Sequence, residues 1–443
     1  MLHIVDKTNC YVQHLMTLSA RFQVSTTEDI KNQLGAVLVP KGNHLDKDMA
    51  QKICSHKLQK PLENCVQLNA NIDGKALKGY LNESLTKNDT LMRLQQDEKI
   101  DALLESACEF YQQYPQLVQK ITVLKIQMPT LFNQGILCAY LSLLMAAKMK
   151  LSKDECRWVF LAGLVHNIGI LSLDKTILAN KGEYTSAQWR TLQSHPIMAE
   201  QVLTRVPGLP KCIAQAVLEH HECSDGSGYP YNKSAGDLAI MGQIVGMSDT
   251  CLAIYQREIA HKKMGLNTLI PLLKLNAHLY SSSVFKAIKS LIKAPKWSEV
   301  SVYKEHQISA LMKRLHVQQK KIQHDYQVIY SVLNSITPYI PNNKKTAMLN
   351  SVSKRVQYFF KQSTILQDQH KQWLKNGCNA PNKSDLLPVE EFENIYGEVN
   401  WQLKQLIKLL CWLWDKDHFK HPKVNKMVQV GLSKITQNSS QVA

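Results

Sequence analysis

The sequence predicts a mainly α-helical fold, with a small α+β module at its start and a helical region at its end, and three observations lead there. Between residues 110 and 300, amphipathic helical segments are punctuated by histidines. Beyond residue 300, apolar residues recur at a seven-residue spacing. Near the N-terminus a short apolar run is held between glycine turns. The expected divisions are a module over 1–66, a linker and helix over 67–109, a histidine-bearing helical domain over 110–300 and C-terminal helices over 301–443.

Taken in order, residues 29–42 read as a short strand between glycine turns and residues 46–56 as the following helix. Residues 67–90, rich in Asn, Lys and Gly, read as the linker. The apolar run over residues 135–147 is interrupted by Tyr140 and Ser142 and is shorter than a bilayer span requires. Residues 158–165 form an apolar helix ending at His166, and residues 212–218 a helix with Ile213, Ala216 and Val217 on one face. Ile308, Leu315, Ile322, Ile329 and Ile336, with Tyr326 and Leu333 between them, make a stripe that stops at Pro338. Such a stripe builds a bundle core or pairs two copies of the chain, which makes a homodimer one expectation. A last helix puts Leu403, Leu406, Ile407, Leu410, Leu413 and Trp414 on one face, suited to docking on the protein.

The chemistry concentrates in His220-His221-Glu222-Cys223-Ser224-Asp225-Gly226-Ser227-Gly228-Tyr229-Pro230. Adjacent imidazoles at a helix end can reach one divalent transition metal. Gly226 and Gly228 permit backbone angles barred to other residues, and Pro230 stiffens the exit. A histidine pair at a helix C-terminus before an ordinary Asp-Gly turn would look the same. His166 in Val165-His166-Asn167-Ile168-Gly169, His195 in Ser194-His195-Pro196 and Asp249 in Met247-Ser248-Asp249 favour the metal reading.

This ordered set resembles the HD-GYP family, bacterial phosphodiesterases of cyclic di-GMP within the HD superfamily of metal-dependent phosphohydrolases. The resemblance covers roughly residues 110–300 and implies an all-helical HD-type bundle. It implies metal positions at His166, His195, His220, His221 and Asp249, and a ligand or partner loop of Asp225, Gly226, Gly228, Tyr229 and Pro230. Residues 29–42 resemble the small module that precedes many such domains. The departures lie together. The family's early helix histidine falls on Gln134, its His-Asp-x-Gly-Lys motif reads His166-Asn167-Ile168-Gly169-Ile170, and an arginine before the late aspartate is matched by Gln243. Two divalent ions about 4 Å apart repel by roughly 16 kcal/mol at an effective dielectric of 20, so a two-metal site depends on anionic ligands. Asn167 brings no charge. The resemblance therefore implies at most one well-held metal, Fe, Mn or Zn, on His195, His220 and His221, with no confident catalytic residue.

Net charge is +17 over 443 residues, with 44% hydrophobic and 20% charged residues, an ordinary globular composition whose surplus lysines suit an anionic partner. No zinc finger, RNA-binding aromatic motif or helix-turn-helix pattern accompanies pairs such as Lys262-Lys263, so nucleic acid is not the expected partner. Residues 1–13 lack a signal peptide's basic start and apolar core, and eleven scattered cysteines form no Cys-x-x-Cys pair; a cytoplasmic location is expected. Three functional readings follow. A degenerate HD-GYP protein would bind cyclic di-GMP, or a signalling protein such as a diguanylate cyclase, with weak or no turnover. An active metal-dependent phosphodiesterase and a scaffold without nucleotide are the alternatives.

Overall fold

The computed structural model describes residues 7–19, 22–94, 99–174, 177, 184–262, 264–297, 301–339, 344–379, 382–415 and 422–441. Lys263 and the residues before Lys7 lie outside this set. The described chain is mainly helical, with two small two-stranded antiparallel sheets. It divides into two compact units that share the chain between them. The first takes Met1–Glu222, Leu238–Leu252 and Ser283–Ala294, and the second Cys223–Asp237, Ala253–Ser282 and Pro295–Ala443.

In the first unit, Val24–Thr26 pairs with Val66–Leu68, and Ile30–Lys31 with Val37–Val39 across a bulge. The expected single strand is therefore a hairpin, because the Asn32 side chain accepts from the Leu34 and Ala36 amides and Gly35 takes φ +84°, reversing the chain between two short strands. The helix Lys47–Cys54 follows, with the Asp46 carboxylate accepting from the Met49 amide. The linker reading of 67–90 does not hold. Val66–Leu68 is a strand, and Gly74–Thr86 is a helix capped by Asp73 that buries Leu77, Leu81 and Leu85. That four-residue spacing is a helical face that the Asn, Lys and Gly content concealed.

After the helices Asp89–Met92 and Lys99–Gln112, prolines set the starts of Pro115–Gln127 and Pro129–Lys148, where a missing N–H costs nothing. Pro129–Lys148 is twenty residues long, so the helix extends on both sides of the apolar run over residues 135–147. By length and composition it could cross a membrane, but 72% of its most apolar window is buried inside the chain. Its neighbour Lys153–Val165 opens on a capping box between Ser152 and Glu155. At Gly163 a Cβ would stand 2.8 Å from the Ala139 Cα, so the two helices meet backbone to backbone. Lys153–Val165 ends at His166, and the short helices His195–Leu203 and Lys211–Glu219 follow in the same unit.

In the second unit, the seven-residue stripe lies on one helix, Ile308–Ile336, where Ile308, Leu315, Ile322, Ile329 and Ile336 are all buried. They pack among the helices Asp368–Asn379, Leu386–Asp415 and Pro422–Gln441, so the stripe serves as bundle core within the chain. Leu403, Leu406, Leu410 and Leu413 are buried too, but their helix is followed by Pro422–Gln441 and is not the last. Its carboxylates also bind earlier segments. Glu393 takes Lys262 at 2.8 Å, Glu398 takes Arg257, and Glu390 accepts from the Val302 amide at 2.6 Å.

Candidate metal centre and its flanking loop

Three histidines share one hydrogen-bond habit. The Nδ1 of His166 lies 2.7 Å from the Gly163 carbonyl, that of His195 2.9 Å from Leu192, and that of His220 2.5 Å from Val217. A carbonyl can only accept, so each Nδ1 carries a proton, and in the neutral rings of His195 and His220 the Nε2 presents a lone pair, the arrangement that prepares imidazole for a metal. Each partner is three residues upstream, which places the histidine at a turn end where helix carbonyls lack internal partners.

His195, His220 and His221 bring one ligand nitrogen each to within 4.8 Å of one another. The Nε2 atoms of His195 and His220 are 3.3 Å apart. Burial pushes the His195 imidazole down to about 3 and His221 to about 4, each with help from neighbouring imidazoles, and it holds His220 well below its ordinary value. All three are neutral near pH 7 and able to act as ligands. Three neutral nitrogen donors around one point fit a single borderline divalent ion.

His166 stands beside this cluster, its ring 5.1 Å from that of His220, with Asp249 Oδ1 at 3.6 Å from Nε2. Burial would raise the Asp249 carboxyl, but the bond to His166 and the surrounding imidazoles hold it down to about 2. The Asn167 amide nitrogen also lies 2.8 Å from His166 Nε2. Burial would lower the His166 imidazole, but Cys138 and Asp249 hold it well above its ordinary value, so with one proton donated to Gly163 its Nε2 carries a second toward Asp249 and is not a free lone pair for a metal. Gln134 is half-buried on Pro129–Lys148. The next residue, Gly135, meets the Leu164 carbonyl at 2.9 Å from its Cβ position, so this helix adjoins the one that ends at His166. Ile170 and Gln243 are buried.

Two glycines let the ligand segments approach. A Cβ on Gly169 would stand 2.0 Å from the His195 carbonyl oxygen, and one on Gly246 would stand 2.3 Å from that of His220. Both obstacles are backbone and cannot swing aside. Gly246→Ala is accordingly expected to destabilise the chain by about 1–3 kcal/mol and to lower its metal content by displacing His220. Thermal denaturation and elemental analysis check this; a variant as stable and as metal-rich as the natural chain would refute the close packing.

The segment from Cys223 to Asp237 belongs to the second unit. Asp225 accepts from the Ser227 amide at 2.9 Å and its hydroxyl at 2.5 Å, Gly226 takes φ +73°, and the Asn232 amide donates to the Gly228 carbonyl. Gly228 is buried, Tyr229 and Pro230 are half-buried, and Asp225 is exposed. Sequence reasoning missed Arg355, which donates to the Ser227 hydroxyl at 3.1 Å and approaches the Cys223 sulfur at 3.9 Å. It lies outside every motif, on the helix Lys344–Ser363, and no local pattern announces it. Glu219 was also missed. Buried one residue before the histidine pair, it accepts from the Ala239 amide at 2.7 Å and braces the start of the helix that carries Asp249.

A family model described as an HD domain matches residues 99–284. The chain is 27% identical over 150 residues to 3'3'-cGAMP-specific phosphodiesterase 3 of Vibrio cholerae, covering 34% of this chain and 32% of that one. It is 23% identical over 141 residues to a cyclic di-GMP phosphodiesterase of Pseudomonas aeruginosa, covering 32% and 34%. To a cyclic di-GMP phosphodiesterase of Thermotoga maritima it is 28% identical over 156 residues, covering 35% and 42%. The chain thus spans about a third to two fifths of the length of these relatives. A solved HDG"Y"P protein from Bdellovibrio bacteriovorus overlaps 62% of this chain and 94% of its own at 11% identity and a TM-score of 0.33, an overlap on which nothing here depends.

Proposed function

Because this chain is a member of the HD-GYP family, we propose that it is a degenerate one, holding at most one divalent transition metal and binding a cyclic dinucleotide or a signalling partner with weak or no phosphodiesterase turnover. The observation that carries this reading is the contrast between two neighbouring groups. His195, His220 and His221 converge as neutral donors, while the Nε2 of His166 is already engaged by Asp249 and Asn167. Those three histidines are the residues that would hold the ion, with Asp249 as the nearby anion. An ion bound there supplies Lewis acidity toward a phosphoryl oxygen. His166 and Asn167 offer a second ion no bridging charge, and Ile170 and Gln243 offer phosphate no cation.

The loop of Asp225, Gly226, Gly228, Tyr229 and Pro230 is assigned to ligand or partner recognition. Tyr229 is half-buried there and provides a ring for a base to stack on. The relatives divide between cyclic di-GMP and 3'3'-cGAMP, so both nucleotides belong in the test. The purified full chain is expected to carry one metal or less by elemental analysis, and to bind one of the two nucleotides in calorimetry while hydrolysing it slowly or not at all. Two tightly held metals, with robust hydrolysis abolished by His220→Ala, would overturn the reading in favour of an active enzyme. Tyr229→Ala is expected to weaken nucleotide binding by about tenfold, the low end of the roughly 1–3 kcal/mol a base–aromatic stack contributes. Unchanged binding would leave the loop with a structural role only.

A further inference from the structure

A cavity lies within the first unit, lined by none of the clustered histidines. It has a volume of about 520 Å³, inside the range of roughly 300–1,000 Å³ typical of small-molecule sites. One wall comes from the N-terminal module, through Tyr11 and the segment from Leu58 to Asn64; the other comes from the helical domain, through Lys120 and the helix His195–Leu203.

Its charge is unusual for a buried place. Lys120 is 4% exposed, with its ammonium 3.2 Å from Glu63 Oε1 and 3.7 Å from the centre of the Tyr11 ring. Tyr11 is fixed in turn by donating to Gln119 at 2.7 Å. The several kcal/mol that desolvating a lysine costs are offset here by Glu63 and the Tyr11 ring, and the side chain still lines open space. Lys60, also in the lining, is engaged at 2.5 Å by Glu28. Arg205 stands exposed at the rim and makes no ion pair among the described residues. Cations outnumber carboxylates in the lining, while Met198 and Val202 supply an apolar floor.

That floor leads to the metal ligands. Met198 and Val202 follow His195 on its own helix, and Ser172 ends the turn Ile168–Ser172 that begins just after His166 and Asn167. Turn and helix are in backbone contact at Gly169, so neither shifts without the other.

We propose that this cavity binds a small organic anion, a phosphate- or carboxylate-bearing molecule with an apolar body, and that its occupancy is transmitted to His166 and His195. The anion meets Lys120 and Arg205, and the apolar body lies on Met198 and Val202. The site regulates the metal centre from the N-terminal module, and it does not depend on whether that centre turns over a nucleotide.

The test uses the full chain with phenyl phosphate as probe, and phenol and inorganic phosphate as its separate halves. Calorimetry is expected to show saturable one-to-one binding of phenyl phosphate, weaker binding of phosphate and none of phenol. Arg205→Gln should weaken binding about tenfold, the loss of one charge-assisted contact. The double variant Lys120→Met with Glu63→Gln, which removes both members of the ion pair so that no buried charge is stranded, should abolish it. Binding should persist in His220→Ala, which separates this site from the metal centre. Hydrogen exchange should slow over residues 168–172 and 195–203 when the probe is bound. No saturable binding, equal affinity in Arg205→Gln or loss in His220→Ala would overturn the site. Binding without altered exchange in those two segments would overturn its coupling. If the double variant fails to fold, the exposed Arg205→Gln decides alone.

Discussion

Asn167→Asp, combined with Gln134→His and Ile170→Lys, is expected to raise metal content from one ion toward two per chain and phosphodiesterase rate by about two orders of magnitude, or roughly 2.7 kcal/mol of barrier. The asparagine reversal should contribute most. It puts a carboxylate in place of a neutral amide 2.8 Å from His166 Nε2, adding the charge that offsets metal repulsion. Without metal the same change sets a second carboxylate near Asp249, so the apoprotein should melt lower and gain more from added metal than the natural chain does. Ile170→Lys places an ammonium where a buried isoleucine packs, so it should lower stability and stay silent in turnover until metal is present. Elemental analysis, melting with and without metal, and nucleotide hydrolysis measure the three effects. A triple variant no more active and no richer in metal than the natural chain would show that the pocket is remodelled beyond its ligands.

His220→Ala is expected to cost the natural chain nearly all its bound metal. His220 sits at the crowded middle of the cluster, with its ring 4.0 Å from that of His221, 5.3 Å from His195 and 5.1 Å from His166. Removing it leaves two imidazoles, below the three donors a site of this type needs. His166→Ala should matter less, because its Nε2 is already engaged by Asn167. Metal competition with a chromophoric chelator would rank the two variants. Equal losses would place the ion between His166, His220 and Asp249 instead.

The ligand positions were legible because each histidine ends a helical turn whose apolar face the sequence displays. Lys153–Val165 runs into His166 and Lys211–Glu219 into His220. The Asn167 substitution could be named from its place in the motif, but its direction could not. Only the fold puts its amide 2.8 Å from His166 Nε2, beside Asp249. Arg355 was invisible, since its partner Ser227 is 128 residues away and no periodicity encodes such a contact. Lys120 was hidden differently. In sequence it is one more lysine on a helix of a basic protein, and its burial follows from Tyr11 and Glu63, which reach it from the opposite side of the cavity. The helix Gly74–Thr86 was overlooked because composition was weighed over the spacing of its three leucines.

The division of the chain into interleaved units bears on its synthesis. The first unit is not closed until residues 283–294 have been made, and the backbone passes between the two units at residues 222, 237, 252, 282 and 294. His166 must therefore wait for Asp249, a stretch of chain that takes about 4–17 s to emerge at roughly 5–20 residues per second. Through that interval the histidines already made lack the Gly246 contact that packs against the His220 carbonyl. Any ion held by these histidines would then be set by the order of events during translation as well as by equilibrium affinity.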